Sequence, residues 1–316
     1  VLATNRTVPA FSVNGTGNSV SSFPIAEITM QSQLPDLIAQ CNLQSRETSL
    51  LRICKPAIRL VSCKDLARPC SPAASKVGGR PLLPTKFDWP VHQGRHLDFL
   101  LQVNLSETAA ADVHHLLPAS GMLSFFFDLK NLPGGFDPAE LSGSRVVYTP
   151  DLTDSVALDV PDSESAIPEH SLEPATIETL PLDDRASRNL FESEGFTAEE
   201  CADFEDLYFG LMSGQADNRK AGHQLLGHPV FYGEDLQLQA QLVTNGLYCG
   251  DSTGYDDPRR SSLESGADDW LLLLQVEADP DVGFEWGDCG TLYFLIQRED
   301  LLNRRFDRVW AGWTCA

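Results

Sequence analysis

The hydrophobic positions fall into two kinds of run. Residues 57–62 (AIRLVS) alternate, the period of a strand with one covered face. Residues 98–105 (DFLLQVNL), 121–129 (GMLSFFFDL), 270–277 (WLLLLQVE) and 290–297 (GTLYFLIQ) are nearly continuous and predict strands covered on both faces. Residues 306–314 read as a last strand. Helical spacing predicts one or two short helices over 34–53, opened by Pro35. Further helices are expected over 106–117, 183–193, 197–212, 233–244 and 298–303. Thr197 with Glu200 three places on forms a capping box. Residues 69–95 and 245–268 are turn-rich. Residues 151–182 are punctuated by proline and read as loops with an edge strand. Strands joined by varied loops and short helices, without regular crossover helices, give an α+β fold of mainly antiparallel sheets.

Two parts of the chain echo each other. Leu100-Leu101-Gln102-Val103 matches Leu273-Leu274-Gln275-Val276, and residues 121–126 match 290–295 at nearly the same offset. Upstream, Gly79-Arg80-Pro81-Leu82-Leu83 is matched with Gly222-His223-Gln224-Leu225-Leu226. This predicts an internal duplication of a β-rich unit, with halves at 57–150 and 220–316 and an insert at 151–212. Residues 1–33 form a flexible arm and 34–316 the globular domain. Gln102 and Gln275 become equivalent. A glutamine inside an apolar strand needs partners for four hydrogen-bonding sites. It either ties down a neighbouring loop, or the pair lines a cleft between the halves, with Asn104 beside Gln102 and His223 in the upstream block.

Composition narrows function. Hydrophobic residues make up 42% of the 316 residues, and 23 Lys and Arg face 45 Asp and Glu, a net charge of −22. So acidic a chain is not expected to bind nucleic acid or an anionic membrane, and no apolar run approaches a membrane span. Residues 151–206 carry seventeen Asp or Glu against two Arg. That concentration is a solvated face or a surface for a basic protein partner. The start of the chain lacks the basic and apolar regions of a secretory leader, and the eight cysteines include no Cys-x-x-Cys. A cytoplasmic location is expected, with reduced thiols, no metal and no cofactor.

No catalytic constellation stands out. There is no Gly-x-Ser-x-Gly elbow, and Asp288 would raise, not lower, the pKa of the Cys289 thiol. His92 and His96 are separated by Gly94, and His114-His115 point different ways, so neither pair predicts a metal site. Gly78-Gly79-Arg80 runs into Pro81 and opens no phosphate-binding helix. Trp286-Gly287-Asp288-x-Gly290 is a tight turn, or it sets Trp286, Asp288 and Trp89 at the mouth of a groove. The candidate binding residues are therefore Trp89, Gln102, Asn104, His223, Gln275, Trp286 and Asp288, with no catalytic residue assigned.

Several of these segments occur in a recognisable order: Pro56-Ala57-Ile58-Arg59-Leu60, Ser75-Lys76-Val77-Gly78-Gly79-Arg80-Pro81, Trp89-Pro90, Leu116-Leu117-Pro118-x-x-Gly121, His223-Gln224-Leu225-Leu226-Gly227, Trp286-Gly287-Asp288-x-Gly290 and Phe306-Asp307-x-Val309-Trp310. In this order the chain resembles the YwqG-like family of bacterial proteins over residues 34–315. That family has no assigned biochemical function, so the resemblance implies a shared bacterial cytoplasmic fold and no reaction. A non-enzymatic binding protein is the function expected. A hydrolase with a carboxylate or histidine site, or a small-molecule sensor, is the alternative.

Overall fold

Apolar runs too continuous for a one-sided strand need cover on both faces, and they obtain it in one ten-stranded antiparallel sheet. The chain is seen as a computed structural model, which describes residues 33–63, 70–161, 167–215, 222–230, 235–288 and 290–315. Apart from Gln33, the expected N-terminal arm lies outside the described residues, as does Cys289. The strands are β1 (Lys55–Cys63), β2 (Lys76–Val77), β3 (Leu82–Pro84), β4 (Val91–His92), β5 (Arg95–His96), β6 (Asp98–Asn104), β7 (Met122–Phe127), β8 (Ser144–Thr149), β9 (Ser155–Ala157), β10 (His170–Thr179), β11 (Gly222–Leu225), β12 (Trp270–Glu277), β13 (Thr291–Gln297) and β14 (Trp310–Thr314). The main sheet runs β14-β13-β12-β11-β1-β10-β2-β6-β7-β8, and β3–β9 and β4–β5 form two small ribbons. The principal helices are α1 (Leu34–Gln40), α2 (Glu47–Ile53), α3 (Leu105–Thr108), α4 (Arg185–Glu194), α5 (Ala198–Gln215) and α6 (Leu236–Thr244). The fold is α+β. Among the described residues no helix is long and apolar enough to cross a membrane.

The sheet twists until its ends approach. Phe125 of β7 meets Phe294 of β13 edge-on at 5.3 Å, although seven strand positions separate them along the sheet. The segment after β7 closes the remaining gap. Trp310 Nε1 donates to Gly135 O at 3.0 Å and Trp313 Nε1 to Leu132 O at 2.9 Å. The enclosed face carries the largest core, including Ile58, Leu60, Phe125, Phe127, Leu274, Val276 and Phe294. The other face is covered in patches: around Phe99 and Phe126, around α6 with Trp270 and Trp310, and around α1, α2, α4 and α5.

The pairings read alike outward from the centre. Val61 pairs with Glu173 between β1 and β10. On either side follow a short strand (β11 or β2), a bulged strand (β12 or β6), an apolar strand (β13 or β7) and an outermost strand (β14 or β8). The bulges fall at Leu273 and Leu100. Gln275 lies opposite Gln224, and Gln102 opposite Lys76. After β2 the positive-φ pair is Gly78-Gly79; after β11 it is Leu226-Gly227. The stretch in register with Gly79-Arg80-Pro81 is therefore Gly227-His228-Pro229, not the expected Gly222-His223-Gln224.

Three other expectations change. Residues 151–182 hold, besides β9, which pairs only with β3 and is an edge, a strand that was not expected: β10 is central. Its Pro174 pairs with Leu60, while β2 on the other side reaches only His170 and Ser171, so the missing N–H breaks no ladder there. The helix expected over 106–117 stops at Thr108, because Asp112 takes the amides of Leu116 and Leu117 and His115 adopts a left-handed φ of 50°. The last strand starts only at Trp310, after a tight turn over Phe306–Arg308. The Thr197–Glu200 capping box is present at the start of α5.

Candidate functional site

The sequence candidates do not converge. Trp89 donates Nε1 to Leu97 O at 2.7 Å and packs edge-on against Phe126, closing the outer patch of the first half. Trp286 points to the enclosed face, against Phe127 and Phe284. The two tryptophans thus serve different cores and frame no common groove. Asp288 is exposed, one residue beyond Gly287, whose φ of 61° makes the turn. Gln102 is fully occupied: Oε1 accepts from Leu82 N, and Nε2 donates to Pro72 O and Ala74 O, each at 2.8 Å. Asn104 caps α3 and donates to Ala73 O. These two residues fasten the segment before and after β2, as the loop-tying alternative expects.

Gln275 differs from Gln102. Its Oε1 accepts from Val230 N at 2.9 Å, in register with the Leu82 bond, but its buried Nε2 has no partner among the described residues. It is one of several such groups beside β11. His223 is wholly buried against Phe284, and among the described residues neither ring nitrogen is hydrogen-bonded. Trp286 Nε1, Asp279 Oδ2 and Arg59 Nε are likewise enclosed and unpaired among the described residues. An unsatisfied buried polar group costs roughly 1–3 kcal/mol; Arg59 and Gln275 carry theirs on the outer face of the sheet, and His223 and Trp286 theirs on the enclosed face.

Register divides them between the two faces: His223 pairs with Leu60, while Gln224 pairs with Arg59 on one side and Gln275 on the other. Ile58 and Leu60 face the enclosed core, so Arg59 projects from the opposite face. It lies over Gly222, where a Cβ would collide with the guanidinium carbon. Glycine at 222 therefore lets the guanidinium rest on the backbone. Gly222 N donates to Glu277 Oε2 at 3.0 Å. Among the described residues Arg59 has neither hydrogen bond nor ion pair, although it is only 8% exposed. Burial pushes the Glu277 carboxyl up; Gly222 N and Arg59 pull it down, and Asp279 raises it further. Burial, with Arg59 behind it, lowers His223 to about 4, so it is neutral at pH 7.

The strands on the β10 side of the sheet allow a comparison. The places in register with Arg59, His223 and Glu277 are held by Ser171, Ser75 and Asn104. Ser171 Oγ donates to Cys63 O, Ser75 Oγ accepts from Asn104 N, and Asn104 Nδ2 donates to Ala73 O. Ser171 and Ser75 are hydrogen-bonded, whereas Arg59 and His223 have no hydrogen bond among the described residues. Sequence reasoning missed Arg59; the available signal was a lone cation inside the alternating run AIRLVS.

Other polar groups offer less. Ser62 Oγ and His170 Nδ1 lie 3.2 Å apart in the core, but His170 Nε2 meets no third group that would orient the ring as a base. Among the described residues no three His, Cys, Asp or Glu gather as metal ligands.

A family model described as a domain of unknown function (DUF1963) matches residues 75–315, beginning after β1. No curated protein matches the chain.

Proposed function

The chain belongs to the DUF1963 family, a domain of unknown function, and we propose that this member is a non-enzymatic binding protein holding a small polar ligand beside β11. The observation that carries this reading is the buried polar atoms of Arg59 and Gln275 on the outer face beside β11, partnerless among the described residues, set against Ser171 and Gln102, which hold the matching places beside β2 and are hydrogen-bonded. We read the two strand series as copies of one unit that exchange first strands, with the ligand end kept open in the second copy. In line with the YwqG-like resemblance, we take the protein to be bacterial and cytoplasmic.

The test is a thermal-shift panel of organic acids, amino acids, sugars and nucleotides on the wild type and on Arg59→Ala. A ligand at a hundred times its Kd adds about 2.7 kcal/mol. Stabilisation by at least one class, lost in Arg59→Ala, is the expected result. No shift from any class defeats the reading.

A second reading, a basic protein partner, is favoured by the surface of α4 and α5. There Glu205 and Asp206 are exposed one turn before Phe209, itself 47% exposed, and Glu192 and Glu199 are exposed elsewhere on the same two helices. Capture of a basic partner at low salt, released by charge reversal at Glu205 and Asp206, supports it; capture unaffected by the reversal removes it.

A further inference from the structure

On the turn that leads into β8, an exposed serine faces a buried histidine. Ser142 Oγ lies 2.8 Å from His92 Nδ1. Ser142 is open to solvent, whereas His92 is 3% exposed. A serine hydroxyl is a weak nucleophile until a base takes its proton. With its hydrogen on Nε2, the His92 ring offers Nδ1 as the acceptor that can do so. The Ser62–His170 pair has no such access, because Ser62 is 7% exposed.

Separate bonds hold the two partners. Ser142 sits on a 3-10 turn over Pro138–Gly143, started by Asp137, whose side chain accepts from Ala139 N at 2.8 Å. The turn ends where Gly143 O accepts from Asp128 N at 2.9 Å. His92 lies in β4, opposite Arg95 of β5. Leu97 N closes this ribbon onto Pro90 O at 2.9 Å. Arg95 fastens it with bonds of 2.7 and 2.8 Å to Asp98 and one of 3.3 Å to Asp128. Asp128 thus ties the ribbon of the histidine to the turn of the serine. In a catalytic triad a third group orients the imidazole; here burial and the Arg95 clamp hold it.

We infer that Ser142, with His92 as its base, is a nucleophile that takes an acyl group from an activated ester. Ser142 Oγ attacks the ester carbonyl carbon, and its proton passes to His92 Nδ1. The bond from the acyl carbon to the leaving oxygen breaks with its electron pair, and the departing alkoxide or phenolate takes the proton from His92. The products are O-acyl-Ser142 and an alcohol or phenol. One such transfer modifies the chain without turnover and is independent of the ligand reading above.

Reaction of the full chain with p-nitrophenyl acetate, followed by peptide mass mapping, tests this. Positioned proton transfer contributes about 10²–10⁴ in rate. Ser142 should be acetylated at least about a hundredfold faster than Ser261 and Ser262, which are also exposed but bond to backbone carbonyls. His92→Gln should remove that advantage, and Ser142→Ala should abolish the fast phase of p-nitrophenolate release. If His92→Gln fails to fold, the ratio of Ser142 to the two reference serines in the wild type decides. Acetylation of Ser142 no faster than theirs, or unchanged in folded His92→Gln protein, overturns the inference and leaves the ligand reading standing. Continuous p-nitrophenolate release that needs both residues supports the inference and overturns the non-enzymatic reading instead.

Discussion

Replacing Gln102 by alanine and comparing it with Gln275→Ala asks whether the two halves are as unequal as their hydrogen bonds. Gln102 is fully buried and makes three bonds at 2.8 Å, to Leu82 N, Pro72 O and Ala74 O. Its removal strands one buried amide and two carbonyls and leaves a cavity where the amide sat. At roughly 1–3 kcal/mol for each unsatisfied group, partly offset by water entry, the loss is about 3–6 kcal/mol. Gln275 makes one bond, to Val230 N, and carries an unpaired Nε2. Its truncation strands one amide but relieves one orphan, a net cost of about 1–2 kcal/mol. Urea unfolding followed by tryptophan fluorescence measures both, provided the slope m is unchanged. A cost for Gln275→Ala equal to or above that for Gln102→Ala would show that Gln275 is as fully bonded as Gln102 and would refute the reasoning.

Acidification should weaken the fold through His223. The folded state resists its protonation down to about 4 while the unfolded chain protonates near 6.5, so stability is present above that range and lost as pH falls through it. Between pH 7 and 5 this amounts to about 2 kcal/mol, which His223→Leu should remove from a pair of urea melts. His228, held near 3 by burial and Lys55, keeps a similar slope in that variant, and Glu277, shifted upward, opposes both. Thr197→Ala should cost about 1 kcal/mol by uncapping α5, read from the same melts, since Thr197 Oγ1 accepts Glu200 N at 3.2 Å.

The strands at 98–104, 122–127, 270–277 and 291–297 were legible because their apolar runs admit one solution, a sheet covered on both faces. Central β10 was not legible. Its proline signalled an edge, and only the shortness of β2 makes Pro174 harmless. The helix at 106–117 failed because Asp112 competes for backbone amides, a contact that local propensity does not contain. The site was half visible. Gln275 was named from strand pattern, but Arg59 and Glu277 join it only through the β1–β11–β12 register and the glycine at 222, while His223, named with it, lies on the enclosed face. Conversely Trp89, Gln102 and Asn104 looked equally chemical and are structural, because their partners lie in loops whose course the sequence does not reveal.

The central claim is that Arg59 is kept for a ligand at the expense of the empty fold, and Arg59→Met addresses it without any ligand in hand. Replacing a buried, unpaired ion by an apolar side chain of similar length is often stabilising by about 1–4 kcal/mol. Urea unfolding of the ligand-free protein should therefore give Arg59→Met a stability at least about 1 kcal/mol above wild type. A stability lower than wild type by that margin would mean that Arg59 holds the fold together, and the binding site described here would not exist.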